Sequence, residues 1–376
     1  MRKICYITGT RADYGLMRSI LLGLKSDPNF DLSICVTGMH LSPLYGNTVE
    51  EIIADGCRIC ATIPVDVENT TSSSMAKSIG LEIIGMTEAL ERERPDLILL
   101  LGDRGETLAA AISAVHLNIP VVHIHGGERS GTVDEMVRHA ISKFSHYHFV
   151  ATEGARLRLV KMGEREDHVY LTGAPGLDEI VHHISCGRSE FFQEYHFDNS
   201  RKIALIVFHP VVQEYDDLSA QMENVLRAAL DIKLQVICLE PNSDAGSHLI
   251  RQVLTRYQSN TDLRILTHLP RRKYLDCLAH VDVLLGNSSS GIIEAASFNL
   301  TVVNVGTRQN LRERGDNVID TMTSYESIKE GIEAALNRHE INYNNIYGDG
   351  ETSERSCKLL SHLSLDSTVL SKFNAY

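Results

Sequence analysis

Short runs of consecutive aliphatic residues alternate along this chain with longer stretches whose apolar positions recur at helical spacing. KICYIT, DLSICVT, DLILLLG and PVVHIH fall in the first half, and KIALIVF, LQVICLE, VDVLLG and TVVNVG in the second. Continuous rather than alternating aliphatics predict parallel strands covered on both faces. Segments of helical length separate them, such as 82–93 and 218–232, so βαβ units are the expected assembly. The polar stretch SCGRSEFFQEYHFDNSR, residues 185–201, parts the two series and is the expected linker. Each half then predicts a doubly wound α/β domain, 1–185 and 200–355, with the ligand in the cleft between them. Residues 356–376 are expected as a helical tail packing back on the N-terminal domain.

The ends of these strands carry the candidate chemistry. In VDVLLGNSSSGIIEAAS a strand gives way at Gly286 to a small-residue loop and a helix expected near Ser290. Backbone N–H groups and serine hydroxyls then meet the positive end of a helix dipole, a phosphate site. Glu294, one turn in, is placed to accept from a ribose diol; the plainer reading is a capped helix with a solvated Glu. TGTRADYG follows the first strand and offers Arg11 as a diphosphate partner or a surface arginine. Arg308 follows the last strong strand of the second half. His209, in FHP, ends that half's first strand and is a ligand or acid/base candidate.

The densest stretch is HIHGGERSGTVDE, residues 123–135, just beyond PVVHIH. Asp103 ends one strand and His125 the next. Thr132 and Glu135 fit a capping box, and apolar residues at 133, 136, 137, 140, 141 and 144 predict the helix that follows. Glu135 is then a cap, and Asp134 either a first-turn carboxylate or a functional one. Glu128 sits in a Gly-rich loop where neither capping nor packing asks for it. A site that removes a proton from carbon needs a base, an acid and something to hold both. Asp103, His125, Glu128, Asp134 and His209 supply candidates for each.

Composition narrows the classes. With 376 residues, two domains fit better than one core. A formal charge of −13 disfavours nucleic acid and anionic membrane as partners. There is no run of apolar residues long enough for a membrane helix, and MRKICYITGT enters a strand directly, so a cytoplasmic protein without a signal peptide is expected. Eight scattered cysteines read as reduced thiols; CRIC, Cys57 to Cys60, lacks the second pair or His cluster of a zinc site. No G-x-G-x-x-G follows either first strand, which disfavours a nicotinamide dehydrogenase.

In order along residues 4–320, TGTRADYG, VTGMHLSPLYGNT, LGDRGE, HIHGGERSGTVDEMVRHAISK, FHP, PNSDAG, GNSSSGIIEA and NVGTRQNLRERG resemble the hydrolysing UDP-N-acetylglucosamine 2-epimerases of sialic acid biosynthesis. The resemblance implies two Rossmann-like domains in a glycosyltransferase-B arrangement with the active site in the interdomain cleft. It implies loss of the C2 proton as UDP leaves C1, then water addition to the glycal, giving N-acetylmannosamine and UDP. Neither cofactor nor metal is expected, and the family's habit is a homodimer or homotetramer. Asp103 and Asp134 match catalytic acidic positions, and His209 a catalytic-centre His that helps the nucleotide depart. Ser288 and Ser289 match phosphate contacts, Glu294 the ribose contact, and Arg11, Arg104, Asn242, Gly291 and Arg308 nucleotide-sugar contacts. Several relatives read HIEGGE where this chain reads HIHGGE. Either His125 takes over the proton transfer, or Glu128 does, or the substrate differs. Relatives of legionaminic acid synthesis take a UDP- or GDP-linked 2,4-diacetamido-2,4,6-trideoxy sugar. A non-hydrolysing epimerase, a glycosyltransferase and a non-catalytic nucleotide-sugar sensor are the competing readings.

Overall fold

Every aliphatic run expected as a strand forms one, and the strands pair in parallel in two sheets. The structure, a computed structural model, describes residues 1–68, 71–129, 133–178, 180, 184–242, 244–267, 269–338 and 342–376. The chain divides into two compact units. Met1–Arg129, Val133–Asp178 and Tyr347–Tyr376 make the first, and Glu179–Ile346 the second.

The first unit's sheet holds β1 (Arg2–Thr8), β2 (Phe30–Thr37), β3 (Arg58–Ile63), β4 (Leu97–Leu101), β5 (Val121–Ile124), β6 (Tyr147–Val150) and β7 (Val169–Leu171). Their order is β3-β2-β1-β4-β5-β6-β7. The winding reverses between β1 and β4, and the ends of those strands open the crevice where such sheets bind ligands. All five residues of β4, LILLL, are buried; truncating one such leucine to Ala costs about 2–5 kcal/mol. The second unit's sheet holds β8 (Ile203–Val207), β9 (Gln235–Leu239), β10 (Leu263–Leu266), β11 (Val283–Gly286), β12 (Val302–Val305) and β13 (Val318–Thr321), in the order β10-β9-β8-β11-β12-β13. Here the winding reverses between β8 and β11.

Two stretches depart from the expected organisation. Residues 185–201 are not a bare linker: Arg188–Glu194 is a helix, and Phe191 and Phe192 are buried. Phe191 lies 5.3 Å from the His280 ring, and the Arg188 guanidinium sits 4.8 Å over Phe192. Residues 347–355 lie with the first unit rather than the second. Ala174 N–H donates to the Tyr347 carbonyl at 2.8 Å. Asp178 accepts from Thr352 N at 2.8 Å and Ser353 N at 2.5 Å, satisfying the open N–H groups that start the helix Thr352–His362. Among the described residues no helix is long and apolar enough to cross a membrane.

Candidate active site

In the first unit β4 ends at Leu101, and Gly102, with φ +78°, turns the chain to present Asp103. His125 follows β5 with φ +62°, a left-handed backbone that residues bearing a Cβ seldom adopt. Its N–H donates to the Phe149 carbonyl at 3.0 Å, and its carbonyl accepts from Arg138 Nη1 at 3.0 Å. The strained residue is thus held from both sides. Gly127 closes the loop at φ +74°, where a Cβ would meet the Ala155 carbonyl oxygen at 2.5 Å. In this turn His125 Nδ1 is bonded to Glu128 Oε1, and both residues are buried. A carboxylate fixing one imidazole nitrogen leaves the other for proton transfer and stabilises the imidazolium once formed.

Arg138, which sequence reasoning left without a role, joins these groups. It lies on the buried face of the helix Val133–Phe144 with Ile141 and Ser142. Nη2 donates to Asp103 Oδ2, and Nη1 lies 3.5 Å from Glu128 Oε2. Burial works against the guanidinium, yet Asp103, Glu128 and Asp134 hold its pKa above the ordinary arginine value. Its spacing with Ile141 and Ser142 (i, i+3, i+4) was the available signal. His123 lies beneath. Its Nε2 is 2.7 Å from the Gly102 carbonyl and its Nδ1 3.0 Å from Ser142 Oγ. Burial pushes this imidazole down to about 3, so it is neutral. A carbonyl only accepts, so the proton is on Nε2 and Nδ1 accepts from the Ser142 hydroxyl.

Asp103, His125, Glu128 and Asp134 therefore share one cluster around Arg138. Arg11 pairs instead with Glu51 at 2.6 Å, and Arg104 Nε donates to Glu106 at 2.8 Å. Thr132, expected as the helix cap, lies outside the described residues; Glu135 lies 3.5 Å from His139 on the same helix.

In the second unit Asn287, also missed from sequence, is the hub. It follows Gly286, whose φ of +136° brings the backbone against Val207. The His209 N–H donates to Asn287 Oδ1 at 2.7 Å, and Asn287 Nδ2 donates to the His209 carbonyl at 2.9 Å. The Asn287 carbonyl accepts from Arg308 at 3.2 Å and Gln309 at 2.9 Å. Asn242 N–H donates to His209 Nδ1 at 3.4 Å, so the neutral ring carries its proton on Nε2. His209, Asn242, Ser288 and Arg308 are thus gathered at the ends of β8 and β11. Ser288 caps the helix Ser289–Ile293, accepting from Ser290 N. Ser290 Oγ is bonded to Tyr274. A Cβ on Gly291 would meet Leu284 at 2.6 Å and Val302 at 2.9 Å, so this residue seats the helix on the sheet. The helix is shorter than expected: Glu294 is its last, capping residue, and the chain tightens into a 3-10 turn over Ala295–Phe298. Glu294 is buried, with Arg271 Nη1 donating to Oε2 at 2.5 Å. Among the described residues no group of three or more His, Cys, Asp or Glu is arranged to hold a metal ion.

Residues 23–361 match the model of the family described as UDP-N-acetylglucosamine 2-epimerase. The chain is 62% identical over 376 residues to the UDP-N,N'-diacetylbacillosamine 2-epimerase (hydrolyzing) of Legionella pneumophila, covering 100% of each. It is 33% identical over 324 residues to the GDP/UDP-N,N'-diacetylbacillosamine 2-epimerase (hydrolyzing) of Campylobacter jejuni, covering 85% of this chain and 84% of that one. The UDP-GlcNAc 2-epimerase of Methanocaldococcus jannaschii, solved in complex with UDP-GlcNAc and UDP, shares the fold. Its TM-score is 0.81 at 19% identity, over 96% of this chain and 99% of that one. The chain therefore belongs to the UDP-N-acetylglucosamine 2-epimerase family.

Proposed function

We propose that this protein is a hydrolysing 2-epimerase of a UDP-linked 2,4-diacetamido-2,4,6-trideoxy sugar. The observation that carries this reading is the 62% identity over the full chain to the Legionella enzyme named for UDP-N,N'-diacetylbacillosamine. That relative favours the diacetamido sugar over UDP-N-acetylglucosamine, which the sequence resemblance put first.

In the proposed reaction a base takes the C2 proton, its electron pair forms the C1–C2 double bond, and the C1–O bond breaks with its electrons leaving on UDP. Water then adds to C1 of the glycal while C2 is protonated on the opposite face, releasing UDP and the 2-epimeric free sugar. We assign the proton transfer to His125, with Glu128 on Nδ1. Asp103 and Asp134, around Arg138, serve as the accompanying acidic groups. In the second unit Ser288 and Ser289 hold the diphosphate, with Gly291 seating their helix on the sheet rather than touching it, Glu294 holds the ribose, and His209 assists departure of the nucleotide. Arg11, Arg104, Asn242 and Arg308 are proposed nucleotide-sugar contacts.

Proton NMR in deuterium oxide tests this, with the UDP-diacetamido sugar, its GDP counterpart and UDP-N-acetylglucosamine in parallel. The expected result is free UDP and a C2-deuterated 2-epimer from the first substrate. Faster turnover of UDP-N-acetylglucosamine would refute the sugar assignment, and a product without deuterium at C2 would refute the elimination.

A further inference from the structure

A second polar cluster lies in the first unit, built around the Lys372 ammonium. It donates to the Ser142 carbonyl at 2.9 Å and to the Ser145 carbonyl, and it pairs with Glu164 Oε2 at 2.6 Å. The two carbonyls close the C-terminal end of the helix Val133–Phe144, where a cation is favoured by the helix dipole. Glu164, itself buried, also takes Lys143 at 2.8 Å and His148 Nε2 at 2.9 Å. The segment bearing Lys372 is tied further by Lys143 to Asn374 Oδ1 at 2.7 Å and by Ala375 N–H to the Gly163 carbonyl at 2.8 Å.

Ser142 connects this cluster to the candidate active site. Its carbonyl takes Lys372, while its hydroxyl lies 3.0 Å from His123 Nδ1 and 3.1 Å from the Arg138 carbonyl. His123 fixes the Gly102 carbonyl, next to Asp103, and Arg138 holds Asp103, Glu128 and the His125 carbonyl. One helix thus carries the arginine that organises the site at its middle and the Lys372 anchor at its end. Burying an ammonium is costly without such partners, and burial pushes Lys372 down to about 8 despite Glu164. The other titratable groups facing it are Lys143, His146, His148 and His168.

Resting on the reaction proposed above, we propose that Lys372 is a positioning residue of the epimerase: it pins the end of the helix Val133–Phe144 and so sets Arg138, His123 and the groups they hold. The test compares Lys372→Met with Asn374→Ala, which removes a neighbouring tie of the same segment and leaves the ammonium. Both are assayed at a temperature where circular dichroism shows them folded. Lys372→Met is expected to lower kcat at least tenfold with UDP affinity within threefold of the parent, while Asn374→Ala keeps kcat within twofold. Amide hydrogen exchange over residues 138–145 is expected to quicken in Lys372→Met alone. A lowered melting temperature with unchanged kcat would make Lys372 merely structural and overturn the proposal. Equal losses in the two variants would overturn it too, by assigning the effect to docking of the whole segment. A parent protein inert to every sugar would refute the proposed reaction instead. The exchange measurement needs no substrate and would still show whether Lys372 holds the helix, unchanged exchange counting against it.

Discussion

Replacing Glu128 by Gln separates two ways of moving the proton. Gln has the same shape, and its Oε1 still accepts from the His125 Nδ1–H, so the buried pair seen here is retained in geometry. What is lost is the negative charge behind the ring, together with its weaker pairing with Arg138 at 3.5 Å. A hydrogen bond to a charged group contributes about 1.5–3 kcal/mol where a neutral one contributes about 1. The difference falls mostly on the transition state, in which the imidazole is becoming imidazolium. A loss of about 0.5–2 kcal/mol corresponds to about a 2- to 30-fold fall in kcat, with KM within about twofold because the ground-state complex loses little. The assay is initial-rate UDP release with the UDP-diacetamido sugar, checked by C2 deuterium incorporation and by circular dichroism. A kcat within twofold of the parent would refute the pairing argument. A loss beyond about 10³-fold would make Glu128 itself the proton-transfer group, since removing a general acid or base costs about 10²–10⁴.

Three further outcomes are expected. Asn287→Ala leaves the His209 N–H and carbonyl without their partners, which should destabilise the protein by about 1–3 kcal/mol, read as a lower urea midpoint, and reduce kcat as well. Glu294→Gln removes the charge that Arg271 holds at 2.5 Å; UDP affinity by calorimetry should fall about tenfold or more, and an unchanged affinity would take Glu294 out of the nucleotide site. Burial, aided by Glu106, pushes the Glu82 carboxyl up to about 8, while Thr37 donates to it at 3.1 Å. Because the folded pKa lies above the unfolded one, the native state holds the extra proton between about pH 4.5 and 8, and stability falls across that window. Glu82→Gln, which cannot ionise, should flatten that fall in melting temperature and leave the acid side unchanged.

The two sheets were readable because strands buried on both faces carry unbroken aliphatics, as in LILLL of β4 and IALIV of β8. The strands that escaped notice are mostly edges. β3, β7, β10 and β13 are half-exposed, so their sequences mix polar and apolar residues. β6 was hidden differently, since Tyr147 and His148 are buried polar residues, and His148 is accommodated by Glu164. Phe191 and Phe192 in the supposed linker were the legible sign of a packed helix, outweighed by their charged neighbours. In the site, residues at strand ends were found because topology puts them there. Arg138 and Asn287 were not, because their roles rest on contacts with residues far away in sequence: Arg138 with Asp103, and Asn287 with His209. Local pattern carries no trace of such pairings.

The His at 125 has a physical consequence that a carboxylate there would not have. Asp103, Glu128 and Asp134 already act on the single guanidinium of Arg138. A carboxylate at 125, in contact with Glu128 where the imidazole now sits, would place a fourth negative charge around Arg138. Like charges at such range keep one group protonated. Imidazole converts that repulsion into a charge-assisted pair, with Glu128 as partner rather than competitor. The left-handed backbone at His125 costs about 1–3 kcal/mol wherever it occurs, and the bonds from Phe149 and Arg138 offset it. Because the same Arg138 secures that backbone and holds the surrounding carboxylates, ring orientation and local charge are set together. A substitution at 125 therefore changes the partner of Glu128 as well as the identity of the base, and the two residues act as one hydrogen-bonded unit.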